Sequence, residues 1–388
     1  MSRPEHHPPC KVVVIGGGYA GTLAANRLRM RADIEVALVN PRPRFVDRVR
    51  LHQFVAGTGE ATVDYGTLLG EGIRLVLDSA TRIDTAARRV RLASGGALEY
   101  DYVVYAVGST GAIPPSVPGA AEFAFSVAAL EPAQRLRAKM QELPADALVT
   151  VAGGGLTGVE TAAELAEQGR EVTLVCGGVL APSMSAPGRR YIATWLTRHG
   201  VDVLEAAEVS EVRPGAVVLA GGGAHGGVRA SALTIWTAGF GVPELAAASG
   251  LRTDELGWLL TDETLTSVDD ERIVAAGDAA APSGRPLRMS CQAAGPLGAQ
   301  AADTVLSRVA GTEPAVIDLA LTGACVSLGR RAAMRQLARK DDTSVNVYLG
   351  GRVGAAYKEL TCKLGVWKIR REARRPGSLI WPKGGPRP

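Results

Sequence analysis

The sequence predicts an α/β protein made of two Rossmann-like units and a small α+β C-terminal domain. Three observations carry that prediction. A glycine-rich fingerprint occurs twice, in Lys11-VVVIGGGYAG and Leu148-VTVAGGGLTG, each time after a β-branched run and before a helix-like stretch. Behind each copy comes the same succession of short alternating segments and a buried return strand, an internal duplication. From about Glu313 the chain changes character, with strand-like segments followed by a basic helical one.

In the first copy, residues 12–15 are apolar on both faces, as expected of a parallel strand covered by helices on both sides. Gly16 permits the tight turn, Gly18 lets the backbone approach a pyrophosphate, and Gly21 lets the next helix pack closely on the strand. That helix, over 19–30, aims its free N–H groups and positive dipole end at phosphates, so each fingerprint marks a dinucleotide-binding unit. The second copy repeats this with a strand over 149–152, turn glycines Gly153, Gly155 and Gly158, and a helix to about Gln168, where Gly169 stops it.

Roughly 20 residues on, an acid should follow for the ribose hydroxyls. Neither copy has one. Ile34-EVALV ends in Asn40, whose amide can still bond a ribose, and Glu171-VTLV ends in Cys176-Gly177-Gly178. Nothing there repels a 2′-phosphate, so NADPH is as admissible as NADH. Arg189 or Arg190 either reaches such a phosphate or stays solvated at a helix start.

Residues 41–57 read as too polar and irregular for a strand. Ile73-RLVLDSATRIDT, Arg88-RVRLAS and Ala97-LEYD alternate between turn residues and form a β-meander, with Asp101-YVVYAVGST as the return strand. The proline-rich Ile113-PPSVPG marks a boundary. A helix over 136–143 precedes the second fingerprint, and Val201-DVLEAAEVSEV, Ala216-VVLA and Ala232-LTIWTAG repeat the meander and return strand. Arg272-IVAAGDAA is a further strand. Ser290-CQAAGPLGAQAADTVLSRVAG is a long helix ended by Gly311, and strands lie around Ala324-CVSL and Ser344-VNVYL. Trp236 and Trp258 read as core residues.

A content of 46% hydrophobic and 21% charged residues is that of a globular chain. No apolar run approaches the roughly 18 residues that cross a bilayer. The polar, proline-rich Met1-SRPEHHPPC does not read as a signal peptide. Cys10, Cys176, Cys291, Cys325 and Cys362 are scattered without a CxxC, which predicts a reducing cytoplasm and neither a disulfide framework nor a metal site. Nucleic acid is not an expected partner. The net charge of +4 hides an imbalance: from Arg330 onward there are 15 Lys/Arg and 4 Asp/Glu, which leaves the body acidic. In that tail Lys358-ELTCKLGVWKIRREARR reads as an amphipathic helix with Leu360, Leu364, Trp367 and Ile369 on its apolar side. Such a helix either lies on an anionic membrane surface or packs its stripe on the body.

Taken together, the first fingerprint, Tyr105-AVGS, the second fingerprint, Trp236-TAG and Ile273-VAAGDAA resemble the FAD-dependent pyridine nucleotide-disulfide oxidoreductase superfamily over nearly the whole chain. The resemblance implies FAD at the first fingerprint and NADH or NADPH as co-substrate at the second. It implies an NAD(P)H domain (113–239) inserted in a discontinuous FAD domain (1–112 and 240–312), then a C-terminal interface domain (313–388). The candidate cofactor contacts are Gly16, Gly18, Tyr19, Ala20, Gly21, Asn40, Arg48, Gly108, Gly153, Gly155, Thr157, Gly158, Cys176, Gly239, Gly277, Asp278, Cys291 and Gln292. Asp278 would meet the FAD ribityl chain.

Arg48-VRLHQFVAG stands where disulfide reductases carry a redox-active CxxxxC, so dithiol relay chemistry is not expected. What remains is most similar to type II NADH dehydrogenases. Cys291-QAA resembles their Ala-Gln motif beside flavin and quinone, with Cys in place of Ala, and Gly158-VE resembles their Gly-x-Glu. Glu160, His52 and Gln292 are the catalytic candidates. Glu160 either bonds the carboxamide or a proton-accepting substrate, or simply favours the helix dipole. His52 either shuttles a proton or is structural. Cys291 is either a redox thiol or a small packing residue. The expected activity is hydride transfer from NAD(P)H to flavin and electron delivery to a quinone-like acceptor, in the cytoplasm and at the inner face of the membrane if the basic helix docks there. The alternatives are a soluble flavin oxidoreductase acting on a metabolite or a carrier protein, and a redox-dependent binding protein.

Overall fold

A computed structural model describes residues 8–220 and 226–385. Two five-stranded, all-parallel sheets organise it. In the first, the order across the sheet is Ile273–Ala275, Tyr102–Tyr105, Cys10–Ile15, Ile34–Val39, Arg74–Val76. In the second it is Ala124–Ser126, Leu233–Trp236, Val149–Ala152, Val172–Val175, Asp202–Leu204. In each sheet the fingerprint strand is central and pairs with its return strand, as the duplicated sequence predicts. The outer strand differs in origin. In the second sheet it precedes the fingerprint, whereas in the first it arrives only after the chain has traversed the second sheet.

The fingerprint strands are buried and β-branched, and each glycine turn feeds a helix: Tyr19–Leu28 in the first unit, Leu156–Glu167 in the second. Close approach explains the glycines. A Cβ on Gly21 would lie 1.8 Å from the Gly16 carbonyl oxygen, and one on Gly158 would lie 1.8 Å from that of Gly153. Each unit carries a three-stranded antiparallel meander, at 80–99 and 208–230. Residues 41–57 depart from expectation: Arg44–Val46 is a strand, paired antiparallel with Thr62–Asp64. Phe45, fully buried against Tyr19 and Tyr65, supplies the anchor that the surrounding charges disguise.

The helix Cys291–Val309 packs on the first fingerprint helix so closely that a Cβ on Gly298 would reach 2.1 Å from the Ala20 carbonyl oxygen. Beyond it, Gly323–Leu328, Ala332–Ala338 and Ser344–Leu349 form an antiparallel sheet, and Gly351–Arg374 forms a long helix. The middle strand escaped the sequence reading because it interleaves Arg335 and Gln336, both buried, among its apolar residues.

That long helix also corrects its own pattern. Ile369 is fully buried, with Gly354, Cys362 and Val366 on the same inward face. The other stripe, Val353, Tyr357, Leu360, Leu364 and Trp367 at spacings of 4 and 3, faces outward, with Val353 67% and Leu360 54% exposed. Two charged residues, Lys358 and Glu372, sit on the inward face instead. Glu372 accepts from the backbone N–H groups of Gly377 and Leu379 and pairs with Arg27, fixing the chain that follows. Among the described residues no helix is long and apolar enough to cross a membrane.

Candidate functional site

Two adjoining hollows run along the first unit. One is lined by Gly16, Gly18, Asn40, Arg42, Arg44 and Arg48, among others. The other holds Gly18, Tyr19, Ala20, Arg48, His52, Gly108, Thr157, Glu160, Gly277, Asp278 and Cys291. They share Gly18, Val46, Arg48, Ala106, Gly108, Ser109 and Ala128, so they form one continuous trough from the end of the second strand to the far side of the fingerprint helix. A Cβ on Gly18 would meet nothing within 4 Å; the turn is open where a pyrophosphate would lie. A third hollow, lined by Gly153, Cys176 and Gly177, meets the trough at Ala112, Trp236, Ala238 and Gly239. Gly155 is open in the same way as Gly18. The two hollows beside the fingerprint turns therefore converge on one chamber. Trp236, buried in the core as expected, also walls both of its sides.

The trough is built by packing and hydrogen bonds. Tyr65 donates its hydroxyl to the Gly17 carbonyl (2.7 Å), while the Asn40 carbonyl oxygen accepts the Gly17 N–H (3.1 Å). Asn40 also donates to the Arg42 carbonyl, so its amide braces the turn at both ends, a structural duty beyond the ribose bond expected of it. Arg48, partly buried, donates to the carbonyls of Ala128 and Ser109. The Ser109 hydroxyl in turn donates to Asp278 at 2.8 Å. These residues fit FAD: an open glycine turn for its pyrophosphate, and Asp278 inside the trough for its ribityl hydroxyls.

At the chamber's other end stands a buried polar cluster. Glu160, on the second fingerprint helix, receives the Lys358 ammonium at 2.7 Å and the Ser327 N–H at 2.9 Å on Oε1; His52 Nδ1 lies 3.8 Å from Oε2. Burial would push Glu160 up, but Lys358 and then His52 outweigh it and hold its carboxyl below the usual range. Lys358 is likewise disfavoured by burial yet raised above the ordinary lysine value by Glu160. Burial lowers His52 to about 4 in spite of Glu160, so its imidazole is neutral near pH 7. Its Nε2 is buried with no partner among the described residues. Next to this cluster Arg50 joins Asp47 (3.4 Å) and Glu359 (3.0 Å), and the Tyr19 hydroxyl bonds Asp47. Consecutive helix residues Lys358 and Glu359 thus clamp the second unit and the first.

Some expectations change. Gln292 does not line the chamber; its amide reaches Thr322 Oγ1 at 3.5 Å in the C-terminal sheet region. Arg189 and Arg190 lie on the helix Ala186–Arg198, and neither lines the second groove. Cys291 opens on the chamber, with its thiol pushed up by its desolvating walls. The sequence reading also missed Lys358 as a site residue. The available signal was a lysine in step with Cys362 and Ile369, on the face opposite the exposed stripe.

The pyridine nucleotide-disulphide oxidoreductase family matches residues 10–301, which span both fingerprints and the Gly277-Asp278 motif. The chain belongs to that family. It is an FAD-dependent NAD(P)H oxidoreductase. An NADH dehydrogenase-like protein of Mycobacterium tuberculosis (strain H37Rv) is 32% identical over 329 residues, covering 76% of this chain and 80% of that protein. The demethylphylloquinone reductase NdbB of Synechocystis is 27% identical over 291 residues, covering 70% and 72%. Among solved structures, NDH2 of Plasmodium falciparum in complex with NADH shares the fold at a TM-score of 0.79 and 15% identity, over 94% of this chain and 96% of that one.

Proposed function

We propose that this oxidoreductase passes the electrons of NAD(P)H to a quinone-like acceptor at an anionic membrane surface. One observation carries the reading: a single helix places Lys358 against Glu160, which lines the chamber, and an exposed apolar stripe on its opposite face. The flanking charges, Lys363, Lys368, Arg371 and Arg374, suit anionic headgroups, and Arg371 already stacks on Trp367 (5.3 Å). Similarity to a demethylphylloquinone reductase supports the acceptor class.

The fingerprint turn and Asp278 would hold FAD, which when bound would supply the hydride-accepting ring. The protein's own groups position the reaction and handle protons. Trp236, Ala238 and Gly239 place the nicotinamide groove against the chamber, and Thr157 and Glu160 wall its entrance. Reducing a quinone to a quinol takes two electrons and two protons, whereas a hydride brings both electrons and one proton. The second proton must come through the protein. Lys358 Nζ, held protonated against Glu160 Oε1, is a proton source behind the chamber wall, and neutral His52, which lines the chamber beside Glu160, is a relay with a free Nε2.

The test compares the wild type with a Leu360→Ser, Trp367→Ser double variant on vesicles of mixed anionic and neutral phospholipid at low salt. The variant should lose vesicle binding and reduction of a vesicle-embedded long-chain quinone, yet keep reduction of a short-chain, water-soluble one. A wild type that ignores the vesicles, or that is bleached by NADH but reduces neither quinone, would overturn the reading.

A further inference from the structure

We infer that Glu208 is the ribose-recognising acid of the second nucleotide groove and makes this protein select NADH over NADPH. The inference rests on the second fingerprint holding the nicotinamide nucleotide, but not on the acceptor. The acid ordinarily found at the end of the second strand is absent here, since Val172–Val175 runs into Cys176 and Gly177. A neighbouring strand fills the place. The Gly177 N–H donates to the Ala207 carbonyl (2.8 Å) and the Ala206 N–H to the Gly178 carbonyl (2.8 Å), so the 205–208 segment is tied beside the strand end. Glu208 opens the strand Glu208–Arg213, and a Cβ built on Gly177 would lie 3.8 Å from its Cγ. Its side chain therefore stands beside Gly177, the residue after Cys176 where the missing acid would be, and shares the groove with both.

The groove's composition gives the sign of the selectivity. Its lining includes Gly153, Cys176, Gly177, Glu208 and Ser210, and no Lys, Arg or His. The Cys176 thiol is pushed up to about 12 by burial and by Glu205, so it adds no charge. Glu208 itself is exposed and makes no ion pair with any described residue, so its oxygens are available to two ribose hydroxyls. A 2′-phosphate in the same place would face a carboxylate with no cation to offset it. The first unit shows what an anion-tolerant groove looks like in this chain, with Arg42, Arg44 and Arg48 along its wall.

The experiment uses the FAD-loaded protein without an acceptor. Anaerobic flavin bleaching by NADH and by NADPH is timed in a stopped-flow instrument, and binding of NAD+ and NADP+ is measured by calorimetry. The wild type should favour NADH in kcat/KM by about 100-fold. Glu208→Gln should cut that preference by about 10-fold or more, acting through KM and the NAD+ affinity, and Glu208→Arg should shift it towards NADPH. A wild type that takes both nucleotides equally, or a ratio unchanged in Glu208→Gln, overturns the inference. Because Glu208 is exposed, an unchanged flavin spectrum serves as the check that each variant is folded. If NADH bleaching depends on Glu208 while quinones go unreduced, this inference stands and the acceptor reading falls.

Discussion

The two fingerprint helices begin alike and end in different company. Gly16 and Gly153, Gly18 and Gly155, and Gly21 and Gly158 do the same steric work, down to the 1.8 Å approach that excludes a Cβ. Two positions after the last glycine, the first helix carries Leu23, packed in the core beneath Gly295, while the second carries Glu160, paired with Lys358. The groove walls diverge in the same way, arginines in the first and Glu208 in the second. The motif fixes the backbone cradle for a pyrophosphate. What the rest of each groove recognises is set by segments distant in sequence.

The largest effects should come from breaking the cradles separately. Gly21→Ala should give a colourless or unfolded protein. Gly158→Ala should remain yellow but be bleached by NADH more than about 100-fold slower, because its nucleotide is displaced by about an ångström. Absorbance and anaerobic mixing measure both. A Gly158→Ala protein that reduces normally would mean the second groove is not the nicotinamide site.

Next in size is the ion pair. Lys358→Met leaves Glu160 buried without its cation and should cost about 3–5 kcal/mol in denaturant unfolding. The double variant Lys358→Met, Glu160→Gln should recover much of that stability. Leu23→Met, at the matching position of the first helix, should cost less than about 1.5 kcal/mol, since it conserves volume and leaves no charge unpaired. Equal costs for Lys358→Met and Leu23→Met would erase the distinction drawn between the two helices.

An effect smaller than loss of the ion pair concerns pH. His52 faces Glu160, Lys358, Arg330 and Arg50 and titrates at about 4 when folded, against 6.5 ordinarily. Between those values the unfolded chain binds the extra proton, so stability should fall as pH drops from 7 to 4, by on the order of 2–3 kcal/mol. His52→Asn should flatten that limb. An unchanged slope in this variant would locate the acid sensitivity elsewhere.

By itself the sequence determined the fold class, the two cradles and the duplication, because these rest on local chemistry: β-branched strands, glycines at fixed spacing and helices that follow at once. It also exposed the outward stripe of the basic helix, since a spacing of 4 and 3 is visible along the chain. It could not say which side of that helix faced the protein, and it placed Ile369 on the wrong one. Only the tertiary structure decided that Lys358 turns inward to Glu160, that Gln292 turns towards Thr322 rather than the chamber, and that Glu208 stands beside Gly177. Each joins residues far apart in the chain, and none has a periodic or motif signal. A buried charge is tolerated only when its partner arrives from elsewhere in the fold, and the choice of partner is settled by packing.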